Sequence, residues 1–298
     1  MFQTHEEFEY VECARCWTLQ IASIPSDLAR HYPPNYYSQA SKTEPQPAGG
    51  LRMSLIRAAT RSRIARPPSA MQRFVRSTLP APFDFVDYGH FLKLARVADL
   101  DSAILDVGCG SSPHRMAAFR RLGFRHLEGI DPFVPEDLVY FGVPVFKRTL
   151  ELHSGEFDCI MFHHSLEHVP DPVATLEAAV RLLSSNGTIL LRLPVVGTYF
   201  WRRFGVHWVE LDAPRHLHLL SPEGVRVLAR RVGLRVVDAT YDSTAWEVRE
   251  SERYERIDVS PDGEDGTQGS TSPDSAGSLV AELNVLGWGG RLCAVLSR

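Results

Sequence analysis

Two carboxylates stand at the ends of short, mainly apolar runs, Asp131 as the last residue of its run and Asp106 one residue before the end of its own, where it leads into a glycine-spaced turn, Asp106-Val107-Gly108-Cys109-Gly110. Gly108 and Gly110 allow a sharp turn and a close backbone approach to a ligand where a Cβ would clash. An acid inside the strand end suits a ligand carrying an ammonium and a sulfonium. The second acid can accept hydrogen bonds from both hydroxyls of a ribose. A dinucleotide site uses the same kind of turn, so an NAD-binding oxidoreductase stays open as the alternative. Against it, Pro113 occupies the position where the third glycine of the dinucleotide fingerprint would fall.

A second group of residues could move protons. His163, His164, His168, His216 and His218 have the side chain whose ordinary pKa lies nearest neutrality. The segment from His207 to His218 adds Glu210, Asp212 and Arg215 to its histidines. Arg215 could hold a phosphate or carboxylate as a bidentate donor, with His216 as a base. A loop tied down by a buried arginine–carboxylate pair is the equally weighted alternative. For His168, packing or hydrogen bonding is favoured over catalysis.

The elements that must position these groups alternate. Ala103–Val107, Leu127–Asp131, Val143–Phe146, Phe157–Phe162 and Thr188–Leu193 read as strands, followed by Leu234–Val237 and Leu292–Leu296. Helices are predicted from Ser112-Pro113 to Gly123, from Asp171-Pro172 to a stop at Asn186-Gly187, and from Ser221-Pro222 to Gly233. Strands alternating with helices imply an α/β, doubly wound, mostly parallel sheet with ligands beyond the carboxyl ends of its strands.

In order and spacing these pieces resemble the class I S-adenosylmethionine-dependent methyltransferases over roughly residues 100 to 240. The matching runs are Ile104–Gly110, Gly129-Ile130-Asp131-Pro132, Phe157–Ile160, His164–Pro172 and Gly187–Leu190. The resemblance implies a Rossmann-like sheet of seven strands, the last antiparallel, with S-adenosylmethionine as cofactor. It places Gly108, Cys109 and Gly110 beneath the methionine part, with Asp106 near its ammonium. Asp131, followed by Pro132, would hold the ribose. Glu151 would lie near the adenine, and His163 would line the pocket near the transferred methyl. Glu167-His168 would stand at the pocket rim. The Pro214-Arg215-His216 element is similar to one in bacterial methyltransferases acting on sugars or cell-envelope precursors. The implied function is methylation of a small-molecule acceptor, with His216, His168 and Arg215 as catalytic candidates. A catalytically inactive cofactor-binding partner protein is a further alternative.

Bulk composition sets bounds. The chain has 298 residues, 44% hydrophobic and 23% charged, with a formal net charge of -4. Nothing there points to a nucleic-acid partner. No run reaches the roughly 18 apolar residues of a membrane span. A polar N-terminus and five cysteines in no paired framework suit a reducing cytoplasm. Residues 1–40 are aromatic-rich and carry Cys13-Ala14-Arg15-Cys16, half of a zinc site; by resemblance they fit the remnant of a zinc-binding module. Lacking a second pair, they are assigned no metal, His5 and His31 being the nearby substitutes. Residues 41–82 form a Pro/Gly linker and a basic segment whose Leu51, Leu55, Ala58 and Ala59 predict a helix laid over the main domain. Residues 83–298 make the catalytic domain, with 247–278 expected as a disordered loop because polar residues dominate it. Oligomeric state is not legible.

Overall fold

Residues 104–107, Ile-Leu-Asp-Val, are all buried in the computed structural model of the chain, which describes residues 6–32, 50–259 and 271–298. A strand covered on both faces carries a continuous apolar run, as this one does. In chain order the strands are β1 (Tyr10–Glu12), β2 (Leu19–Ile21), β3 (Ile104–Val107), β4 (Leu127–Ile130), β5 (Leu138–Tyr140), β6 (Val143–Phe146), β7 (Phe157–His163), β8 (Leu183–Pro194), β9 (His218–Leu219), β10 (Arg235–Tyr241) and β11 (Arg291–Ser297). The helices are α1 (Gly50–Ile64), α2 (Ala70–Thr78), α3 (Phe83–Leu94), α4 (His114–Leu122), α5 (Pro172–Leu182), α6 (Tyr199–Phe204), α7 (Pro222–Arg231), α8 (Ala245–Val259) and α9 (Pro273–Leu286).

The main sheet has the order β10-β11-β8-β7-β3-β4-β6-β5. It holds eight strands where seven were expected. The extra one is β5, which lies antiparallel against β6 at the edge. β3 lies between β4 and β7, parallel to both, with Asp106 level with Gly129 on one side and Met161 on the other. The last strand, β11, sits between β8 and β10.

The chain divides into two units, 33–165 with 173–191 and 295–298, and 1–32 with 166–172 and 192–294. In the first, α4 connects β3 to β4 and buries Met116, Ala117, Ala118, Phe119 and Leu122 completely. Gly123 caps it at φ 106°, a conformation open to glycine, so that the chain turns directly into β4. The predicted stop of α5 at Asn186-Gly187 is corrected. The helix ends at Leu182, and β8 runs straight through Gly187, whose lack of a side chain lets the Leu183 side chain and the Phe157 carbonyl lie close.

The basic segment does form helices, but its predicted contact face is also corrected. α1 buries Met53, Ala59, Thr60 and Ile64, whereas Leu51 and Leu55 point to solvent. Of the four residues expected on the packing face, Ala59 is buried and Ala58 half-buried, while the first two turns pack through Met53 instead of Leu51 and Leu55.

In the second unit β1 and β2 form a hairpin, and β2 pairs antiparallel with β9 through Leu19↔Leu219. The N-terminal segment is therefore part of this unit's architecture. The core gathers Val196, Phe200, Phe204, Trp208, Val248, Val280 and Leu283 around Leu19 and Leu219. The loop expected at 247–278 is corrected on both flanks: residues 245–259 and 273–286 are helical, while 260–270 lie outside the described residues. Composition averaged over the stretch concealed its anchors. Glu247 is fully buried and ion-paired with Arg291, and the Ser251 hydroxyl accepts from the Val209 amide. Ser272 caps α9 and Pro273 opens it, a start signal the sequence displays outright. No helix among the described residues is long and apolar enough to cross a membrane. The linker at 41–49 also lies outside the described residues.

Candidate functional site

The turn after β3 has the conformation its glycines require. Gly108 sits at φ 72° and Gly110 at φ 67°, in the left-handed region. A Cβ on Gly108 would stand 2.5 Å from the Ser165 Cβ. Ser165 is fixed there because its hydroxyl donates to the Val107 carbonyl at 2.7 Å. The neighbouring Gly129 leaves room for the Cys109 thiol, which a Cβ there would meet at 2.6 Å. Cys109 has its thiol pushed well up by burial and by Asp106 and Asp131, so it fills space and remains protonated.

Asp131 closes the loop from the next strand. One carboxylate oxygen accepts the Gly110 amide at 2.9 Å and the other accepts the Phe133 amide at 2.8 Å. Burial raises its pKa, and these two bonds oppose the rise. Each oxygen keeps a second lone pair, which is what a pair of vicinal hydroxyls would use. Asp106 is buried, and burial raises its pKa against the pull of Arg115, whose guanidinium lies 3.3 Å away. Arg115 comes from the first turn of α4 and was not singled out in the sequence. A carboxylate and a guanidinium side by side match the two charges of an amino-acid end, ammonium and carboxylate. The residues present therefore fit S-adenosylmethionine: a cradle that a Cβ would fill, a carboxylate with lone pairs in reserve, and a charge pair.

The remaining expected cofactor residues are distributed as follows. Pro132 is exposed directly after Asp131, and so is Phe133. Glu151 is exposed on the 3-10 turn Leu150–Leu152. His163, the last residue of β7, is buried edge-to-face against Phe91, with ring centroids 4.7 Å apart.

The second unit holds a buried histidine–carboxylate cluster. Glu167 and His168 lie on the 3-10 turn Leu166–His168. The His168 Nδ1 faces the Arg215 carbonyl at 2.9 Å and the Tyr32 hydroxyl at 3.2 Å; His216 Nδ1 faces the Glu210 carbonyl at 2.7 Å. A carbonyl only accepts, so both rings carry their proton on Nδ1 and present Nε2 as an acceptor. The rings meet edge-on, 4.7 Å between centroids. Burial, with His216 adding, drives the His168 pKa down to about 3, and burial lowers His216 as well. Burial pushes the Glu167 carboxyl up to about 8, with Glu210 and Asp212 adding repulsion. Ligand-capable atoms of Glu167, His168 and His216 all lie within 4.8 Å of one another, a donor set of the kind that holds a divalent cation. The sequence offers His168 and His216 as proton-transfer candidates, sets Glu167 beside His168 at the pocket rim by resemblance, and assigns no metal; the three come together because β9 and the turn at 166–168 are neighbours, the Leu217 amide donating to the Glu167 carbonyl.

Arg215 departs from its expected role. It is 1% exposed, its Nε donates to Asp212 at 2.8 Å, its Nη2 meets the same carboxylate, and its Nη1 donates to the His31 carbonyl at 2.9 Å. Burial presses the Asp212 pKa upward, but His216 and Arg215 outweigh it and hold the carboxyl low. The guanidinium thus ties the loop to the N-terminal segment and is taken up by the fold. Its signal in the sequence was the acid three residues earlier. Cys13 and Cys16 form the tip of the β1–β2 hairpin, both as free thiols, and Cys13 is held low by backbone amides of Arg15 and Cys16. Of the substitute ligands, His31 meets Phe8 edge-to-face and lies 3.7 Å from Glu6, and His5 lies outside the described residues.

A family model described as a methyltransferase domain matches residues 72–239, more than half of the chain. A ubiquinone biosynthesis O-methyltransferase of Psychrobacter arcticus is 31% identical over 112 residues, covering 33% of this chain and 43% of that protein. The protein of the same name from Xylella fastidiosa is 24% identical over 192 residues, 58% of this chain and 74% of that protein. The chain thus spans less than half the length of the Psychrobacter relative. Among solved structures, coclaurine N-methyltransferase bound to N-methylheliamine and S-adenosylhomocysteine is 14% identical, with a TM-score of 0.43 over 72% of this chain and 70% of that one. The matched span takes in the glycine turn, both acids and the whole run of strands around them, and the chain belongs to the methyltransferase domain family, whose members take their methyl group from S-adenosylmethionine.

Proposed function

We propose that the chain methylates a hydroxyl of a small aromatic acceptor. The observation that carries the donor half is Asp131, doubly pinned by the Gly110 and Phe133 amides beneath a turn that admits no Cβ at Gly108. Asp131 holds the ribose, and Asp106 with Arg115 receives the amino-acid end. The acceptor class rests on the relatives, which are named for O-methylation in ubiquinone biosynthesis, and replaces the sugar or envelope precursor expected from the Pro-Arg-His element.

Bound S-adenosylmethionine supplies an electrophilic methyl on a sulfonium. The protein's share is to align the acceptor oxygen and to take its proton as the new O–C bond forms and the S–C bond breaks, its electron pair leaving with the thioether. Within the second unit Glu167, whose carboxyl lies at about 8, is matched to a hydroxyl proton better than the two depressed imidazoles, and it is our candidate base. His168 and His216, fixed as Nδ1–H tautomers, have ring nitrogens within 4.8 Å of its carboxylate. This modifies the expectation that His216 itself is the base.

The test is turnover with labelled S-adenosylmethionine and a panel of catechols and hydroxyquinols, read as kcat/KM against pH. Only ionised Glu167 accepts a proton, so the rate rises with pH through about 8, and Glu167→Gln removes that limb. An unchanged limb in Glu167→Gln would refute the base assignment. Absence of S-adenosylmethionine binding by folded protein would refute the donor site, and binding without turnover would leave the inactive-partner reading standing.

A further inference from the structure

The helices α1 and α2 present a surface that the methyl-transfer chemistry does not use. Between residues 50 and 79 there are seven arginines, Arg52, Arg57, Arg61, Arg63, Arg66, Arg73 and Arg76, and no acid. Among the described residues none of the seven is ion-paired. Their hydrogen bonds run mainly to backbone carbonyls: Arg63 to Ala59 and Leu79, Arg66 to Lys93, Arg73 to Pro68. The cations crowd one another enough that Arg76, Arg63 and Arg66 all act to lower the Lys93 pKa, after burial. The nearest acid at the start of α3, Asp84, is already held by Arg121.

Apolar side chains in the same region are left exposed by the described residues. Leu51 is 79% exposed, Met71 70%, Phe74 63% and Phe83 80%. On α1, Leu51 and Leu55 stand exposed one turn apart, away from the buried Met53, Thr60 and Ile64, and Arg52 and Arg61 border them on either side by about a quarter turn. On α2, Met71, Phe74, Val75 and Thr78 fall at spacings of three and four, and no residue of this helix is buried. A helix that keeps its apolar face in solvent needs a partner for it.

We infer that the α1–α2 surface docks on an anionic phospholipid bilayer, with Leu51, Leu55, Met71 and Phe74 entering the headgroup boundary and Arg52 and Arg61 on the lipid phosphates. The pattern of charge around apolar surface favours lipid over a protein groove. Long guanidinium side chains flanking an apolar stripe let the stripe sink while the charge stays at phosphate level. The uncompensated positive charge selects an anionic surface.

The test is flotation of the full chain with vesicles of phosphatidylcholine, with and without phosphatidylglycerol. Wild-type protein binds the anionic vesicles at least about tenfold better than the zwitterionic ones, and salt weakens the binding. Met71→Ser/Phe74→Ser and, separately, Arg52→Gln/Arg61→Gln each reduce it by at least about tenfold while the thermal unfolding profile stays that of wild type. Should the apolar pair unfold the helix, Phe74→Trp replaces it, its emission moving to the blue on anionic vesicles alone. Wild-type protein that does not float with anionic vesicles overturns the inference. So does flotation insensitive to the apolar variants, or tRNA displacing the vesicles and binding Met71→Ser/Phe74→Ser undiminished, which would assign the face to a polyanion.

Discussion

Replacing Gly108 by alanine tests the geometry of the donor loop most directly. Two costs combine. A side chain at φ 72° is strained by about 1–2 kcal/mol. The new Cβ, 2.5 Å from the Ser165 Cβ, forces a backbone or side-chain shift worth about 1–3 kcal/mol. Gly108→Ala should then lose about 2–5 kcal/mol in guanidinium unfolding and bind S-adenosylmethionine far more weakly in calorimetry. Ser165→Gly separates the two terms. Alone it loses the hydroxyl bond to Val107, about 1 kcal/mol. Combined with Gly108→Ala it relieves the clash and leaves the strain, so the double variant should be more stable than the sum of the singles by about 1–3 kcal/mol. Additivity within about 0.5 kcal/mol would show that Ser165 does not bear on the loop, and the account of the cradle would fail.

Asp131→Ala should weaken S-adenosylmethionine binding by about 1–3 kcal/mol, checked by calorimetry, and leave NAD without measurable affinity. Arg215→Ala should destabilise the chain by about 3–5 kcal/mol by leaving Asp212 as an uncompensated buried charge, visible in thermal unfolding; a raised acceptor KM at unchanged stability would restore it as a binding residue. Glu167 has its folded pKa raised to about 8 from 4.5, so its contribution is full below pH 4.5 and is lost as pH rises towards 8. His168 runs the other way, its depressed pKa of about 3 adding stability as pH rises to 6.5. Unfolding free energy followed from pH 6.5 to 8 should therefore fall in the wild type and fall less in Glu167→Gln.

The central sheet and the donor loop were legible because they rest on local signals. A four-residue apolar run, a glycine pair and a terminal acid each act over a few residues, and β3, β4 and β7 followed directly. What escaped depended on partners far along the chain. Arg115 was one of many arginines until α4 brought it to Asp106. Arg215 looked like a ligand clamp until Asp212 and the His31 carbonyl, 184 residues away, engaged its donors. The acid-rich stretch around Glu247 looked unable to order itself, since its stabilising partner, Arg291, lies 44 residues on. On α1 the obstacle was different: periodicity reports that a face is apolar and says nothing about what covers it.

The pairing of β2 with β9 has a consequence for the order of synthesis. Leu19 finds Leu219 only after two hundred further residues have been made. At about 5–20 residues per second, the Tyr10–Ile21 hairpin waits about 10–40 s with its edge amides unpaired. An unpaired edge is a template for any passing strand. The two-residue strand His218–Leu219 thus acts late, as the piece that closes the exposed edge of a hairpin made about two hundred residues earlier.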